Sequence, residues 1–450
     1  MAKSKQKFIC QNCEAVFYKW AGRCENCGEW NSLVEQTLPE VGRSAVARSI
    51  NNGKPLQVNS LNSIPFEEGM KRLKTGIGDL DIILGGGILP GGVTLLAGQP
   101  GIGKSTLLLQ TVANIAHNYD VLYISGEESA GQVRLRAARL GADKSSNLNF
   151  AASTSADDIA ATIRTGKYQL VVVDSVQTLH LNEITSSPGS VSQITNSSNA
   201  IINAAKETGT SVIFVGHVTK EGSIAGPKIL EHLVDVVLQF EGDRYGGFKI
   251  VRAVKNRYGS TNEAAIFEMG EKGLRIVENP SAALLAERRD EDGSVVLATL
   301  EGARPLLVEI QALVNSTNFG YPKRTASGFD INRLNLLIAV LERRTKLKLS
   351  DKDIYINVVG GIKISDPAAD LAICMAIASA SAGRRLNYGT VVFGEVGLGG
   401  EVRSVTSIEK RIAEAKKLGF TKALAPITIK DDFIIGVDNV RSTLIEYLQK

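Results

Sequence analysis

The run Gly98-Gln99-Pro100-Gly101-Ile102-Gly103-Lys104-Ser105 constrains this chain more than any other eight residues in it. It matches G-x4-G-K-[ST] in full, follows an apolar stretch at 93–97 that reads as a strand, and opens a helical pattern over 105–116. A strand, a glycine-rich turn and a helix in that order aim backbone N–H groups and the helix N-terminus at one point, which suits phosphate. The stretch Gly98 to Thr106 is therefore the expected nucleotide-binding segment. Lys104 is expected to reach the β/γ-phosphates of ATP, and the Ser105 hydroxyl to hold Mg2+.

A nucleotide site of this kind needs acids at the ends of neighbouring strands. The run 170–174 is an apolar strand closing on Asp174, placed to support Mg2+ through its water shell. The strand at 121–125 leads into Gly126-Glu127-Glu128, where a carboxylate can polarise the attacking water. Glu127 is the first choice and Glu128 the second, although both also read as ordinary surface acids at a strand end. His217 closes the strand at 211–216, where it could sense the γ-phosphate or be a plain loop histidine. With 93–97 and 234–240, most of these apolar runs lack polar alternation, and they are separated by helical patterns from 74 to 277. That predicts an α/β fold with a parallel sheet covered on both faces.

Four of the five cysteines fall within eighteen residues, as Cys10-x2-Cys13 and Cys24-x2-Cys27. Two such knuckles complete a four-thiolate Zn2+ site, with two disulfides or a redox pair as the alternative. Lys3, Lys5, Lys7, Lys19 and Arg23 lie among Phe8, Phe17, Tyr18, Trp20 and Trp30, a mixture that suits either a nucleic-acid contact or a mini-domain core. The fifth, Cys374, reads as a small core residue.

Length matters next, since 450 residues exceed what these two units need and predict about three domains. The expected division is a four-cysteine module at 1–36, a linker at 37–63, the α/β domain at 64–279, and an α+β domain at 280–450. In the last, strands are expected at 295–300, 306–314 and 354–359, helices at 332–343, 366–380 and 408–418, and a hairpin at 391–402. A composition of 44% apolar and 22% charged residues excludes a wholly disordered chain, and a net charge of +4 confines any nucleic-acid surface to local patches or to repetition in an oligomer. No apolar run approaches the length of a membrane span and the N-terminus lacks a signal-peptide pattern, so a soluble, cytoplasmic protein without a membrane partner is expected.

The segment Thr75-Gly-Ile-Gly-Asp-Leu-Asp-x3-Gly-Gly-Gly, followed by the phosphate loop, resembles the RecA-type ATPases of the RadA/KaiC branch. The four-cysteine module and Lys255-Asn256-Arg257-Tyr258-Gly259 are similar to those of the bacterial RadA (Sms) family, whose motif is K-N-R-F-G; here Tyr258 replaces Phe. This resemblance implies a homohexameric ring with ATP sites between subunits. It also implies action on single-stranded DNA and recombination intermediates, with branch migration driven alongside the RecA recombinase. Lys255 and Arg257, two apart at the end of a strand-like run, would share a face and deliver cations to a neighbour's γ-phosphate. Their alternative is a basic edge strand. The segments 177–198 and 218–228 match the family's channel loops, with Lys220, Lys228 and His180 as DNA-contact candidates, or else are flexible surface.

Residues 285–450 resemble the proteolytic domain of Lon. Asp366-Pro367-Ala368-Ala369-Asp370 stands where that family has G-P-S-A-G, so Ala368 fills the nucleophile position. Glu409 falls where the lysine base belongs, with Lys410 displaced by one. Neither half of a Ser–Lys dyad is present, and a scaffold for ring assembly is expected instead. Arg324, Arg333, Arg343, Arg344, Lys346, Lys348, Arg384 and Arg385 supply basic candidates for DNA contact or for salt bridges. An ATP-dependent Lon-like protease and a KaiC-like ATP-gated scaffold are the rival readings.

Overall fold

A computed structural model describes residues 7–10, 15–17, 19–30, 32–36, 60, 71–218, 224–225, 228–242, 247–317, 320–427 and 431–448. The chain forms two compact units, Met1–Glu68 and Gly69–Lys450. In the first, strands β1 (Lys7–Cys10), β2 (Val16–Phe17) and β3 (Leu33–Gln36) make an antiparallel sheet of order β2-β1-β3. Its core is small: Cys10, Cys24 and Leu33, with Phe8, Ala15, Phe17 and Ala21 packed against them. Cys13 and, apart from Ser60, the expected linker lie outside the described residues.

The second unit begins with helix α1 (Gly78–Ile83) and a ten-stranded sheet. Its strands are β4 (Val93–Gly98), β5 (Val121–Ser125), β6 (Leu148–Ala152), β7 (Leu170–Asp174), β8 (Ser211–Val218), β9 (Ile224–Ala225), β10 (Val236–Gly242), β11 (Lys249–Asn256), β12 (Ala264–Gly270) and β13 (Gly273–Ile276). The order is β13-β12-β11-β10-β4-β8-β7-β5-β6, with β9 off this path and paired with β8. From β10 to β6 every pair is parallel, and β11 to β13 extend the sheet antiparallel. Every residue of β4, β5 and β7 is buried. Successive side chains enter opposite cores: Leu96, Tyr123 and Val172 on one face, Leu95, Ile124 and Val173 on the other. Helices α2 (Lys104–Ile115) and α3 (Ala130–Leu140) cover the first face, α4 (Ala156–Arg164) and α5 (Val191–Thr208) the second. The apolar runs are unalternated because both faces are dry.

Two expectations shift here. Strand β10 starts at Val236, not at 234, because Asp235 turns its carboxylate inward to accept the Val93 amide at 3.0 Å. The segment 177–198 is not all loop: α5 begins at Val191, with the Ser190 hydroxyl accepting the Gln193 amide at the N-cap. Short helix α6 (Lys228–Leu233) leads into β10.

After α7 (Pro280–Leu285) a seven-stranded sheet forms. It uses β14 (Ser294–Glu301), β15 (Arg304–Ser316), β16 (Arg324–Ser327), β17 (Lys352–Val358), β18 (Thr390–Val392) and, beyond the hairpin β19 (Glu395–Val396) and β20 (Val402–Arg403), β21 (Lys422–Pro426) and β22 (Ile434–Val437). Its helices are α8 (Ile331–Val340), α9 (Ala369–Ala382), α10 (Ile408–Lys417) and α11 (Val440–Tyr447), and a π-helical turn over Leu341–Thr345 follows α8. The expected hairpin over 391–402 is shorter, since β18 joins the main sheet parallel to β14 and β21. The expected helix at 366–380 starts three residues late, because Asp366 accepts the Ala368 amide at 3.0 Å and stays outside it.

The core beneath the second sheet also takes in Ile250, Ala264 and Ile266 from β11 and β12. Arg252 of β11 bridges Glu241 at 3.1 Å and buried Glu301 of β14 at 3.0 Å, and Arg304 of β15 pairs with Asp79 of α1 at 3.0 Å.

Candidate active site

Strand β4 ends at Gly98, where a Cβ would lie 2.6 Å from the Phe240 carbonyl oxygen, so only glycine lets β10 approach. The turn reverses through Gly103, whose φ of 116° lies in the left-handed region, and α2 opens at Lys104. The Lys104 ammonium donates to the carbonyls of Gly98 at 2.8 Å and Gln99 at 3.0 Å and lies 3.2 Å from His217 Nδ1. Phosphate oxygens can replace those carbonyls as its partners.

The ends of β5, β7 and β8 converge on the same cavity of about 390 Å³. Asp174 Oδ2 accepts from the Ser105 hydroxyl at 2.7 Å and from the Tyr123 hydroxyl at 2.6 Å. A serine hydroxyl beside a carboxylate is a hard-oxygen pair that fits Mg2+. The Glu127 carboxylate accepts from the Ser175 hydroxyl and lies 3.4 Å from His217 Nε2. Glu128 is engaged differently, with both oxygens taken by Arg136 at 2.7 and 2.5 Å. The structure thus brings Lys104, Ser105, Glu127, Asp174 and His217 together and turns the Glu128 carboxylate onto a helix arginine.

Charge follows from these contacts. Burial lowers the Lys104 ammonium to about 8, against the opposing pull of Asp174 and Glu127. The His217 hydrogen bond, with help from Ser175 and the Lys104 charge, outweighs burial and holds Glu127 at about 2. Burial and the Asp174 charge push the Tyr123 phenol up, which keeps it a donor. Tyr123, Ser175, Arg136 and Arg139, the last two also lining the cavity, escaped the sequence reading. The one signal was a lone phenol among Val121, Leu122 and Ile124.

The pentapeptide Lys255–Gly259 sits at the opposite end of the sheet. Lys255 pairs with Val237 and Val237 with Leu95, three residues or about 10 Å before Gly98. Its ammonium donates to the carbonyls of Glu231 and Val234, each at 2.8 Å, closing the end of α6. Burial, then the Arg257 charge, lowers its pKa. Arg257 donates to Asp235 at 3.2 Å, so the two cations do share a side, but neither reaches the phosphate loop of its own chain. Asn256 donates to the Ile83 carbonyl at 2.9 Å and accepts the Tyr258 amide at 2.8 Å. A Cβ on Gly259 would lie 2.9 Å from the Gly85 Cα. The glycine run at 85–87 and the pentapeptide, far apart in sequence, form one packing unit.

Among the DNA-contact candidates, Lys220 and the Lys228 side chain lie outside the described residues. His180 pairs through its backbone with Thr154 and Ala156. Buried Gln193 organises the loop ahead of α5, accepting the Leu181 amide and donating to the carbonyls of Ile184 and Ser186.

In the N-terminal unit the thiols of Cys10, Cys24 and Cys27 lie within 4.8 Å of one another, and the Cys10 and Cys27 sulfurs are 3.6 Å apart. A disulfide would hold those two at about 2.05 Å. A tetrahedral centre with Zn–S bonds near 2.3 Å sets sulfurs about 3.8 Å apart, so the three fit zinc.

Ala368 is fully buried and carries no nucleophile. Beside it, Asp366 accepts from Arg411 at 2.7 Å and Thr299 at 3.0 Å, and Asp370 accepts from Arg333 and the Val396 amide. Glu409 is exposed, and Lys410 donates to the Ala303 carbonyl at 3.2 Å.

Comparison with known proteins follows the same three parts. Residues 8–35 match the family described as rubredoxin metal binding domain, 69–223 that described as AAA domain, and 334–429 that described as subunit ChlI of Mg-chelatase. The chain is 48% identical to the DNA repair protein RadA of Bacillus subtilis (strain 168), over 99% of each chain. The chain belongs to the RadA family. The DNA repair protein RadA of Pseudomonas aeruginosa is 46% identical over 95% of this chain and 94% of its own, and that of Brucella abortus 46% over 95% and 92%. Membership and the AAA match make this an ATPase of a DNA repair family, with a metal-binding N-terminal module. Among the described residues no helix is long and apolar enough to cross a membrane.

Proposed function

We propose that this protein is an ATP-driven, DNA-dependent motor that moves on single-stranded DNA at recombination intermediates and drives branch migration alongside the RecA recombinase. Lys104 binds the β/γ-phosphates, Ser105 and Asp174 hold Mg2+, and Tyr123 fixes Asp174. When bound, the metal neutralises charge developing on the phosphates. Glu127 accepts the proton of the attacking water, and His217 relays the loss of the γ-phosphate to the segment after β8. Lys220 and Lys228 are the DNA-contact candidates there, gripping phosphates without reading bases. Zn2+ on Cys10, Cys13, Cys24 and Cys27 holds the N-terminal module together.

The observation that carries this reading is the separation between Lys255 and Arg257 and the phosphate loop of their own chain. Cations that far from their own nucleotide are useful across a subunit boundary, which supports a ring, a homohexamer, in which each ATP is completed by a neighbour. A motor predicts ATP turnover stimulated by single-stranded oligonucleotide and strand-exchange junctions moved in the presence of the recombinase. Turnover indifferent to DNA, with no junction movement, would leave the ATP-gated scaffold as the reading. Peptidase activity is not proposed, because Ala368 has no hydroxyl and its amide is held by Asp366, which is paired with Arg411.

A further inference from the structure

The N-terminal module leaves its two largest apolar side chains outside its core. Trp20 is 61% exposed and Trp30 69% exposed, while smaller residues fill the interior. Both indoles flank Gly22: a Cβ built there would lie 3.9 Å from Trp20 Cη2 and 3.9 Å from Trp30 Cζ3. Gly22 therefore puts no side chain between the edges of the two rings. Arg23 lies with its guanidinium carbon 5.8 Å from the Trp30 ring centroid, steadied by a 2.8 Å bond from its Nε to the Gly28 carbonyl. Lys19 and Arg23 are exposed and enter no ion pair among the described residues.

Exposed aromatic faces grouped in this way mark a ligand surface, since burial would otherwise stabilise them. We propose that Trp20 and Trp30, with Gly22 between them, form a stacking platform for unpaired nucleobases, with Lys19 and Arg23 meeting the flanking phosphates. Charge selects the occupant: Lys19, next to Trp20 in the chain, and Arg23, held against Trp30, complement a polyanion whose bases are free to stack. A duplex hides those faces. Sequence tolerance follows, because every base presents a π-surface. The proposal rests on the DNA-acting reading above and assigns the N-terminal module its own part in it.

The two indoles are the only tryptophans among 450 residues, so intrinsic fluorescence of the full-length protein reports this site alone. Added oligo-dT is expected to quench the emission and to shield both indoles from acrylamide; a blunt duplex of equal length is expected to do neither. Trp30→Ala should weaken oligo-dT binding on the order of tenfold, as for the loss of one stacked base, with zinc content and basal ATP turnover unchanged. Unaltered emission while a fluorescein-labelled oligo-dT still binds by anisotropy would overturn the platform and leave the motor standing. Absence of binding by either readout would overturn both. Quenching by the recombinase but not by oligo-dT would overturn the proposal in favour of a protein-docking surface. Should Trp30→Ala lose its zinc, the unmodified chain's emission still decides.

Discussion

Glu127→Gln and Glu128→Gln should behave as opposites although the two acids are adjacent. Glutamine at 127 keeps the size and can still accept from Ser175 and face His217, but it has no charge with which to take a proton. Loss of a general base lowers turnover by about 10²- to 10⁴-fold, which is about 3–5 kcal/mol of barrier. Glutamine at 128 instead loosens a partly exposed pair, with 25% and 30% of the two side chains accessible. Such a pair contributes about 0–1 kcal/mol, so turnover should stay within about fivefold of the parent. Steady-state phosphate release, with nucleotide affinity measured separately by a fluorescent analogue, separates chemistry from binding. Because Glu127 is held at about 2, it stays ionised down to that pH, and the rate should show no rising limb from this group between pH 4 and 7. Equal losses in the two variants, or normal turnover in Glu127→Gln, would refute the assignment.

Other perturbations test the remaining parts. With Lys104 lowered to about 8, its charge is present below that pH and fades above it, so ADP affinity by calorimetry should fall as pH rises from 7 to 9; a flat profile would contradict the role given to the ammonium. In Lys255→Ala, ATP binding should match the parent while DNA-stimulated turnover and junction movement are lost, since the contacts removed lie on α6 and not on the phosphate loop. Normal branch migration would refute the coupling role. Metal analysis should find one zinc per chain, and Cys24→Ser should release it; a zinc-free protein with a folded N-terminal unit would count against the four-thiolate site. Arg411→Ala removes a fully buried guanidinium and leaves the half-buried Asp366 without its cation, which should cost about 3–5 kcal/mol in denaturant unfolding, without any ATP-stimulated casein cleavage appearing.

The candidate nucleotide cluster was legible because its parts are local: a glycine loop, a lysine, and acids at strand ends that a parallel sheet must bring side by side. Periodicity likewise gave the sheet, as β4, β5 and β7 are dry on both faces. What stayed hidden depends on contacts across long separations. Nothing adjacent to Glu128 in sequence shows that Arg136 will take its carboxylate, and Tyr123 reads as one more buried strand residue. The meeting of Gly85 with Gly259, and of Asn256 with Ile83, links segments more than 170 positions apart. Boundaries slipped where a side chain met the backbone: Asp235 delays β10 by accepting the Val93 amide in place of the strand ladder, and Asp366 stays outside α9 by accepting the Ala368 amide ahead of its first turn.

Ile250, Ala264 and Ile266 stand on strands of the ten-stranded sheet and pack into the core beneath the seven-stranded one. Cleaving the polypeptide at residue 279 would strand three aliphatic side chains in water and strip Arg252 of Glu301. The outer strands of the nucleotide sheet would then lose their backing. A lesion far out in the protease-like half can therefore register as failed ATP turnover without touching a phosphate contact. Genetic loss of function mapped there is no proof of a separate activity residing there.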